Sequence, residues 1–222
     1  MNLYIVATPI GNLEDISFRA IRVLKEVDFI LSEDTRVTQK LLQHYSIKKP
    51  LISFHHHSDD NKYKKVLDIL RSGKSLALVS DAGTPNISDP GGELVNYIRK
   101  NLPEVNIEPI PGASAVITAL SVAGIPVDKF TFFGFLPHKK GRQTMLKEVL
   151  DHKYPVVFYE SKYRLLKLLQ ELKDLNCQKK IIIFRELTKM FYTFYNQDLD
   201  ELYKTFEQDK NAIKGEFTII IY

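Results

Sequence analysis

Short β-branched runs alternate with amphipathic runs of helical periodicity through the first half of the chain, and this alternation strongly constrains the fold. Successive strands that are separated by helices need crossover connections, which build a mainly parallel sheet covered on both faces. The pattern predicts strands at residues 3–7, 29–31, 51–54, 76–80 and 105–109, and helices at residues 18–27, 35–45, 63–70, 93–99 and 113–123. The first half is therefore predicted to be an α/β domain.

A break that contains Gly and Pro follows at residues 124–128, and we place a domain boundary there, between domains 1–123 and 124–222. The second half predicts strands at residues 131–135, 156–159, 181–185, 191–195 and 217–221, and helices at residues 142–151, 162–172 and 198–206. Two consecutive strands without a helix between them favour a mixed or antiparallel sheet. The second α/β domain is therefore expected to differ in architecture from the first.

Composition excludes several classes of protein. The 222 residues are 44% hydrophobic and 26% charged, which is typical of a soluble globular chain and unlike a disordered or fibrous one. The single Cys177 excludes an intramolecular disulfide and a zinc site built on cysteines, and it favours a reducing, cytoplasmic location. We expect neither a signal peptide nor a membrane span, since no apolar run approaches about 18 residues.

Charge is distributed unevenly between the halves. Residues 1–111 hold 14 basic and 14 acidic side chains, whereas residues 112–222 hold 17 basic and 13 acidic ones, so the whole net charge of +4 lies in the second half. An anionic macromolecule would be attracted mainly there.

Four predicted strands of the first domain end in small residues and prolines, at residues 7–13, 32–36, 80–85 and 111–115. Ligands of open α/β sheets bind outside the carboxyl ends of the strands, and small residues let the backbone approach a ligand directly. Any one of these segments is typical of an ordinary turn, but four at one sheet edge favour a site. The absence of a Walker A motif, and of a Gly-x-Gly-x-x-Gly motif after the first strand, disfavours P-loop NTPases and standard NAD-binding domains.

The order and spacing of these segments and of four others closely resemble the ribosomal RNA small-subunit methyltransferase I family of the tetrapyrrole (class III) S-adenosylmethionine methylase superfamily. The similarity covers residues 3–222, and the combination of motifs is far more specific than any one of them. The matching segments are ATPIGNL (7–13), SEDTR (32–36), SDAGTP (80–85), SDPG (88–91), PGASA (111–115), FGFLP (133–137), RELTK (185–189) and KGEF (214–217).

The resemblance implies a homodimeric enzyme of two α/β domains that binds S-adenosylmethionine in the cleft between them. The implied reaction is 2'-O-methylation of a cytidine in the decoding region of the 16S rRNA of the small ribosomal subunit. By motif match, the cofactor-binding residues are Pro9, Gly11, Asp81, Ala82, Gly83, Thr84, Pro85, Pro111, Gly112, Ala113, Ser114, Phe135, Leu136 and Pro137.

Glu33, Asp34 and Arg36 are the candidate catalytic residues, because a ribose hydroxyl needs a base and Arg36 could fix a carboxylate or grip a phosphate. The alternative is that Asp34 or Thr35 only caps the next helix. The candidate RNA-binding residues are His55, His57, Lys139, Lys140, Arg142, Arg185, Lys189 and Lys214. No metal site is expected, since adjacent histidines on an extended segment point to opposite sides.

Several features depart from the family pattern or leave alternatives open. The chain stops at Tyr222, where the family typically continues into a helical segment, and the family's Glu-Ser-Pro appears as Glu160-Ser-Lys162. The alternative functions are methylation of a small tetrapyrrole-like metabolite and non-catalytic RNA binding during ribosome assembly. The aromatic residues of 191–195 could stack on bases, but strand geometry favours core packing for most of them.

Overall fold

The computed structural model describes residues 1–55, 60–89 and 91–222, which form two compact units, Met1–Ser114 and Ala115–Tyr222. The division falls before the helix α5 (Ala115–Ser121), whereas the sequence places a boundary after it. Among the described residues, no helix has the length and apolar character needed to cross a membrane.

The first unit contains a five-stranded sheet in the order β3-β2-β4-β1-β5, with every pair parallel, as the alternation of strands and helices predicts. Its strands are β1 (Asn2–Val6), β2 (Phe29–Ser32), β3 (Leu51–Ser53), β4 (Leu76–Val79) and β5 (Asn106–Ile110). Its helices are α1 (Phe18–Glu26), α2 (Thr35–His44), α3 (Asp60–Arg71) and α4 (Gly92–Asn101).

Apolar side chains cover both faces of this sheet. The four residues of β4 are all buried, which is the uninterrupted apolar pattern of a parallel strand with helices on both sides. Leu78 packs with Leu94 and Ile98 of α4 on one face, while Ala77 packs with Leu24 of α1 on the other. Burial on both faces fixes the level at which each strand ends, and therefore the position of the loops that follow.

The second unit contains a mixed sheet in the order β6-β7-β10-β8-β9, which confirms the predicted difference in architecture. The central strand β10 pairs antiparallel with β7 and β8, whereas β6 and β7 are parallel. Its strands are β6 (Thr131–Phe135), β7 (Val156–Ser161), β8 (Ile181–Arg185), β9 (Thr193–Tyr195) and β10 (Glu216–Ile221). Besides α5, its helices are α6 (Arg142–Asp151), α7 (Leu165–Asp174) and α8 (Leu199–Gln208).

The aromatic residues around β9 differ from the expectation of core packing. Phe191 is 65% exposed and lies outside the strand, which is shorter than predicted, and Tyr192 and Phe194 are exposed as well. Tyr195 packs inward, with its ring 4.7 Å from that of Phe206, and Phe194 keeps one ring contact, at 5.3 Å, with the buried Phe184. The reason is that β9 is an edge strand and pairs only with β8, so little of the unit covers it.

Truncation of the core at β10 should destabilise the second unit. Ile219 is fully buried, so we expect Ile219→Ala to lower the free energy of unfolding by about 2–5 kcal/mol through lost burial and a residual cavity. The same substitution at the exposed Ile117 is the matched control, with an expected change below about 0.5 kcal/mol. Urea unfolding followed by circular dichroism measures both, and equal losses would contradict this account of the core.

Candidate functional site

The loops after β1 and β4 are joined by two reciprocal backbone hydrogen bonds. The Thr8 amide donates to the Gly83 carbonyl at 2.9 Å, and the Gly83 amide donates to the Thr8 carbonyl at 3.1 Å. The buried Thr8 hydroxyl also donates to the carbonyl of Ser80 at 3.1 Å. The two loops therefore behave as one rigid element at the carboxyl edge of the sheet.

The loop after β5 is attached to the same element. The Ala7 amide donates to the Ile110 carbonyl at 3.1 Å, and the Thr84 hydroxyl donates to the Ala113 carbonyl at 3.2 Å. The structure thus brings together, within one unit, the three loops of the first domain that were predicted from sequence to bind a cofactor: Pro9 and Gly11, Asp81 to Pro85, and Pro111 to Ser114.

Two glycines allow the loops to approach this closely. A Cβ atom on Gly112 would lie 2.9 Å from the Cβ of Ala7, which is closer than real Cβ atoms come to other atoms. Gly83 has a φ of +85°, a conformation that side chains disfavour, and its Cβ would lie 3.3 Å from the Cγ2 of Ile10. The three loops after β1, β4 and β5 therefore form a cradle, which presents backbone groups and small side chains to a ligand.

Carboxylates accumulate beside this cradle. The Asp81 carboxylate accepts a hydrogen bond from the Asp34 amide at 3.1 Å. The pKa of Asp89 is raised to about 6, mainly by burial and also by the negative charges of Glu33 and Asp81, which outweigh an opposing hydrogen bond from Ser80. A cationic ligand would be stabilised next to these groups, and it would lower the pKa of Asp89 again.

Asp34 is the N-cap of α2, since its carboxylate accepts the Arg36 amide at 2.8 Å. The Arg36 side chain also pairs with that carboxylate at 2.6 Å, and these hydrogen bonds lower the pKa of Asp34 to about 2. A carboxylate of such low pKa is a poor proton acceptor. The geometry therefore favours the capping alternative for Asp34, while the Arg36 side chain is 87% exposed and Glu33 is half-buried.

A pocket lies within the first unit at the end of β3. Phe54, His55, Tyr63, Asn86 and Glu93 line it together with Gly91 and Gly92. The Tyr63 hydroxyl donates to Glu93 at 3.2 Å, and His55 Nε2 lies 3.3 Å from the Lys62 ammonium. Of the two predicted RNA-binding histidines, His55 therefore borders this pocket, and His57 falls outside the described residues.

In the second unit, the segment predicted to contribute to the cofactor site begins at Phe135, the last residue of β6. Phe135 is 54% exposed, whereas the Leu136 side chain is buried, so that residue can contribute only through its backbone. Lys139 and Lys140 lie on the surface just after this segment. The segment thus combines an exposed aromatic ring with two neighbouring cations.

Arg142 does not lie on the surface, contrary to its prediction as an RNA-binding residue. It is 2% exposed, and its guanidinium pairs with Glu171 at 2.7 Å and with Glu160 at 3.2 Å. The sequence suggested a basic surface run, but the first residue of α6 faces the interior of the unit. Arg142 is therefore a buried structural cation that RNA does not reach in this fold.

The remaining predicted RNA-binding residues lie at the ends of β8 and β10. Lys189 bridges Glu216 at 2.7 Å and Glu186 at 3.2 Å; its pKa is raised, because these hydrogen bonds outweigh the opposing effect of burial. Arg185 Nε donates to the carbonyl of Lys214 at 2.5 Å. Arg185 and Lys189 therefore have partners within the unit, and Lys214 is exposed.

Sequence reasoning missed two features. Asp89 lies within the quoted Ser-Asp-Pro-Gly segment, but its partial burial near Glu33 is not visible from composition. Glu186 and Thr188 have φ values of +54° and +62°, and Thr188 has a buried hydroxyl for which the described residues provide no hydrogen-bond partner. Positive φ is unusual for a β-branched residue such as Thr188, and no feature of the surrounding sequence predicts this conformation.

A family model described as Tetrapyrrole (Corrin/Porphyrin) Methylases matches residues 2–203. The chain is 46% identical over 220 residues to a protein of Halalkalibacterium halodurans named ribosomal RNA small subunit methyltransferase I, covering 99% of this chain and 75% of that protein. It is 44% identical over 219 residues to a Thermotoga maritima protein of the same name, covering 99% of this chain and 97% of that protein. The relatives therefore include one of nearly this length and a longer one.

Solved structures share the fold at much lower identity. A diphthine synthase matches with a TM-score of 0.75 at 12% identity, covering 100% of this chain and 90% of that chain. A uroporphyrin-III C-methyl transferase from Thermus thermophilus complexed with S-adenyl homocysteine matches with a TM-score of 0.66 at 16% identity, covering 99% and 97%. At these identities the likeness establishes the architecture, which is the two-unit α/β arrangement predicted from the sequence.

Removal of the Asp89 charge should stabilise the protein in a pH-dependent way. The folded-state pKa of about 6 lies above the usual 3.8, so this carboxyl favours folding fully below about pH 4 and loses that contribution as the pH rises through 6. We expect Asp89→Asn to raise the melting temperature relative to the parent protein at pH 7–8, and the difference to shrink towards pH 4.

Melting temperatures from pH 4 to 8 measure this difference. Asp128→Asn, at an exposed carboxylate, is the matched control and should show a difference that does not vary over this range. A pH-independent effect of Asp89→Asn would contradict the raised pKa.

Proposed function

The chain belongs to the tetrapyrrole (corrin/porphyrin) methylase family, and from this premise we propose that it is an S-adenosylmethionine-dependent methyltransferase of the small-subunit ribosomal RNA. The proposed product is a cytidine methylated on its ribose 2'-oxygen in the decoding region of 16S rRNA. The observation that carries the proposal is 42–46% identity, over 99% of the chain, to proteins named ribosomal RNA small subunit methyltransferase I.

The residues of the first unit fit the proposed cofactor. S-adenosylmethionine would supply an electrophilic methyl group on a sulfonium, and its adenosine would have donors and acceptors for exposed backbone groups. The cradle around Gly83 and Gly112 exposes such groups, because a Cβ on either residue would press against Ile10 or Ala7. The carboxylates of Asp81 and Asp89 provide negative charge that suits a cationic cofactor.

We propose that Pro9, Gly11, the Asp81–Pro85 segment and the Pro111–Ser114 segment hold the cofactor, with Phe135 to Pro137 contributing from the second unit. The Thr8–Gly83 and Thr84–Ala113 hydrogen bonds keep the first-unit loops in a fixed arrangement before the cofactor arrives. Such preorganisation lowers the entropy that binding must overcome.

Glu33 is the proposed general base for the ribose hydroxyl. Glu33 comes directly after β2, at the sheet edge where the cradle also lies. Arg36 forms its ion pair with Asp34 and not with Glu33. Asp34 instead orients Arg36, whose exposed planar guanidinium suits a phosphate of the RNA backbone. In this assignment one carboxylate moves a proton and its neighbour positions a cation.

The proposed RNA-binding residues are Lys139, Lys140 and Lys214 in the second unit and, in the first unit, those of the pocket beside His55. The three lysines are exposed, and the second half of the chain carries the whole net positive charge. The pocket places the Glu93 carboxylate and the Asn86 amide beside aromatic rings, and unstacked bases are commonly read by such a combination. We further propose that the protein acts as a homodimer in the cytoplasm.

The proposed activity predicts the transfer of labelled methyl groups to rRNA. Purified small ribosomal subunits from cells that lack this protein should accept tritiated methyl groups from S-adenosylmethionine, and mapping should place the label on a cytidine 2'-oxygen in the decoding region. Glu33→Gln should lower kcat by about 10²- to 10⁴-fold with little change in cofactor affinity, because it removes a base and keeps the shape.

Glu104→Gln, at an exposed residue, is the control for this substitution. RNA affinity should fall steeply with salt, since phosphate contacts release counterions. Label on a tetrapyrrole and none on rRNA would overturn the proposed acceptor, and RNA binding without any transfer would overturn the proposed activity.

The glycine cradle yields a separate prediction on cofactor binding. Gly112→Ala should raise the Kd for S-adenosylhomocysteine by about tenfold or more, because the new methyl group would force the loops after β1 and β5 apart. Isothermal titration calorimetry measures this. Gly73→Ala is the matched control, since a Cβ there meets no atom within 4 Å and changes only the strain of a turn away from the cradle.

An unchanged Kd in a folded Gly112→Ala protein would contradict the proposed placement of the cofactor. An equal rise in Gly73→Ala would show that the effect is one of general destabilisation.

A further inference from the structure

Four charged side chains of the second unit form a buried cluster, consisting of Arg142, Glu160, Arg164 and Glu171. Glu160 lies at its centre and is 1% exposed. Its two oxygens pair with Arg164 Nε at 2.6 Å and with Arg142 Nη1 at 3.2 Å, and Arg142 Nε pairs with Glu171 at 2.7 Å. Two positive and two negative charges therefore balance within the interior of the unit.

Both arginines of the cluster also reach the segment that follows β6. Arg164 Nη1 donates to the carbonyl of Leu136 at 2.7 Å, and Arg142 Nη1 donates to the carbonyl of Pro137 at 3.3 Å. The two arginines come from different elements, with Arg142 the first residue of α6 and Arg164 just before α7. Two consecutive carbonyls are thus held by two separately anchored cations.

These bonds dictate what the segment presents on its other side. In a trans peptide the carbonyl of one residue and the amide of the next point in opposite directions. With the Pro137 carbonyl directed at Arg142, the His138 amide is directed away from the cluster, and Pro137 itself has no amide hydrogen. The segment therefore offers the exposed Phe135 ring and the Pro137 ring, and the His138 amide follows it directly.

Burial of four charges is costly, and apolar residues of similar volume would often stabilise a fold at least as well. The cluster is also incompletely satisfied, because Arg142 Nη2 is buried without a hydrogen-bond partner among the described residues. Stability alone is therefore a weak explanation for it. The bonds to two neighbouring carbonyls instead indicate a role in fixing the backbone, which Leu or Met at these positions could not perform.

We propose that Arg142 and Arg164 are positioning residues, which fix the Phe135–Pro137 segment in the conformation that binds S-adenosylmethionine. The proposal rests on the proposed function in that it takes this segment to contact the cofactor. Glu160 and Glu171 act one step further back, as they hold the two guanidinium groups in orientation. Arginine is required because a planar fork donates to a carboxylate and a carbonyl at the same time, which an ammonium on a flexible stem does poorly.

The test uses Arg142→Lys and Arg164→Lys, which keep the charge and remove the second bond. We expect each to raise the Kd for S-adenosylhomocysteine by about tenfold in calorimetry, with kcat at saturating S-adenosylmethionine within about twofold of the parent. Gln143→Ala is the matched control, since Gln143 donates to Glu171 at 3.2 Å and has no hydrogen bond to the Leu136 or Pro137 carbonyl.

Arg164 is the less buried of the two arginines, so Arg164→Lys keeps the test decisive if Arg142→Lys fails to fold. A parental Kd in a folded Arg164→Lys protein would overturn the inference, as would an equal rise of Kd in Gln143→Ala. Calorimetry needs no RNA, so the two proposals fail separately. A shifted Kd in a protein that methylates no rRNA would sustain the positioning role and overturn the proposed acceptor.

Discussion

The parallel pairing of β1 with β4 on one side and with β5 on the other is the constraint on which the first unit depends. Val6 lies level with Val79 and with Ile110, so the three strands end together. The following residues then meet, as the Thr8–Gly83 bonds and the approach of Gly112 to Ala7 demonstrate. A register shift of one residue would turn the side chains of β1 to the opposite faces and separate these loops. The same register of β1 is therefore required both for the packing of the core and for the geometry of the loops.

The two units build their loops by different means. In the first, backbone hydrogen bonds and small residues hold the loops, and each such bond contributes a net stabilisation of only about 1 kcal/mol. In the second, buried guanidinium groups hold the Leu136 and Pro137 carbonyls. Buried ion pairs add little net stability, but the loss of one partner leaves an uncompensated charge and is strongly destabilising. The second arrangement therefore tolerates substitution less well than the first.

The strands and helices could be predicted from the sequence because each has a clear period and lies between turn signals. The loops around Gly83 and Gly112 could be found because parallel strands place their carboxyl ends at one edge. Which charged side chains are buried or paired could not be predicted from the sequence. Arg142 belongs to a basic run by sequence, yet the start of α6 turns it inward to meet Glu160, a residue of β7 that is close only in the fold. Asp34 likewise required its contacts with Arg36 to be identified as a cap, and the exposure of Phe191 follows from the edge position of β9.

The division between backbone and side chains also explains how one fold serves different acceptors. Solved structures at 12–18% identity keep the architecture, and their names include a diphthine synthase and a uroporphyrin-III C-methyl transferase. A cradle made of main-chain groups tolerates most substitutions, provided that glycine and other small residues stay where a Cβ would collide. An acceptor would instead be selected by side chains, for which we propose Glu33, Arg36 and Lys139, and substitutions at exposed side chains need not alter the sheet. Fold likeness at this identity therefore establishes the architecture alone, and the acceptor is better inferred from relatives at 42–46% identity.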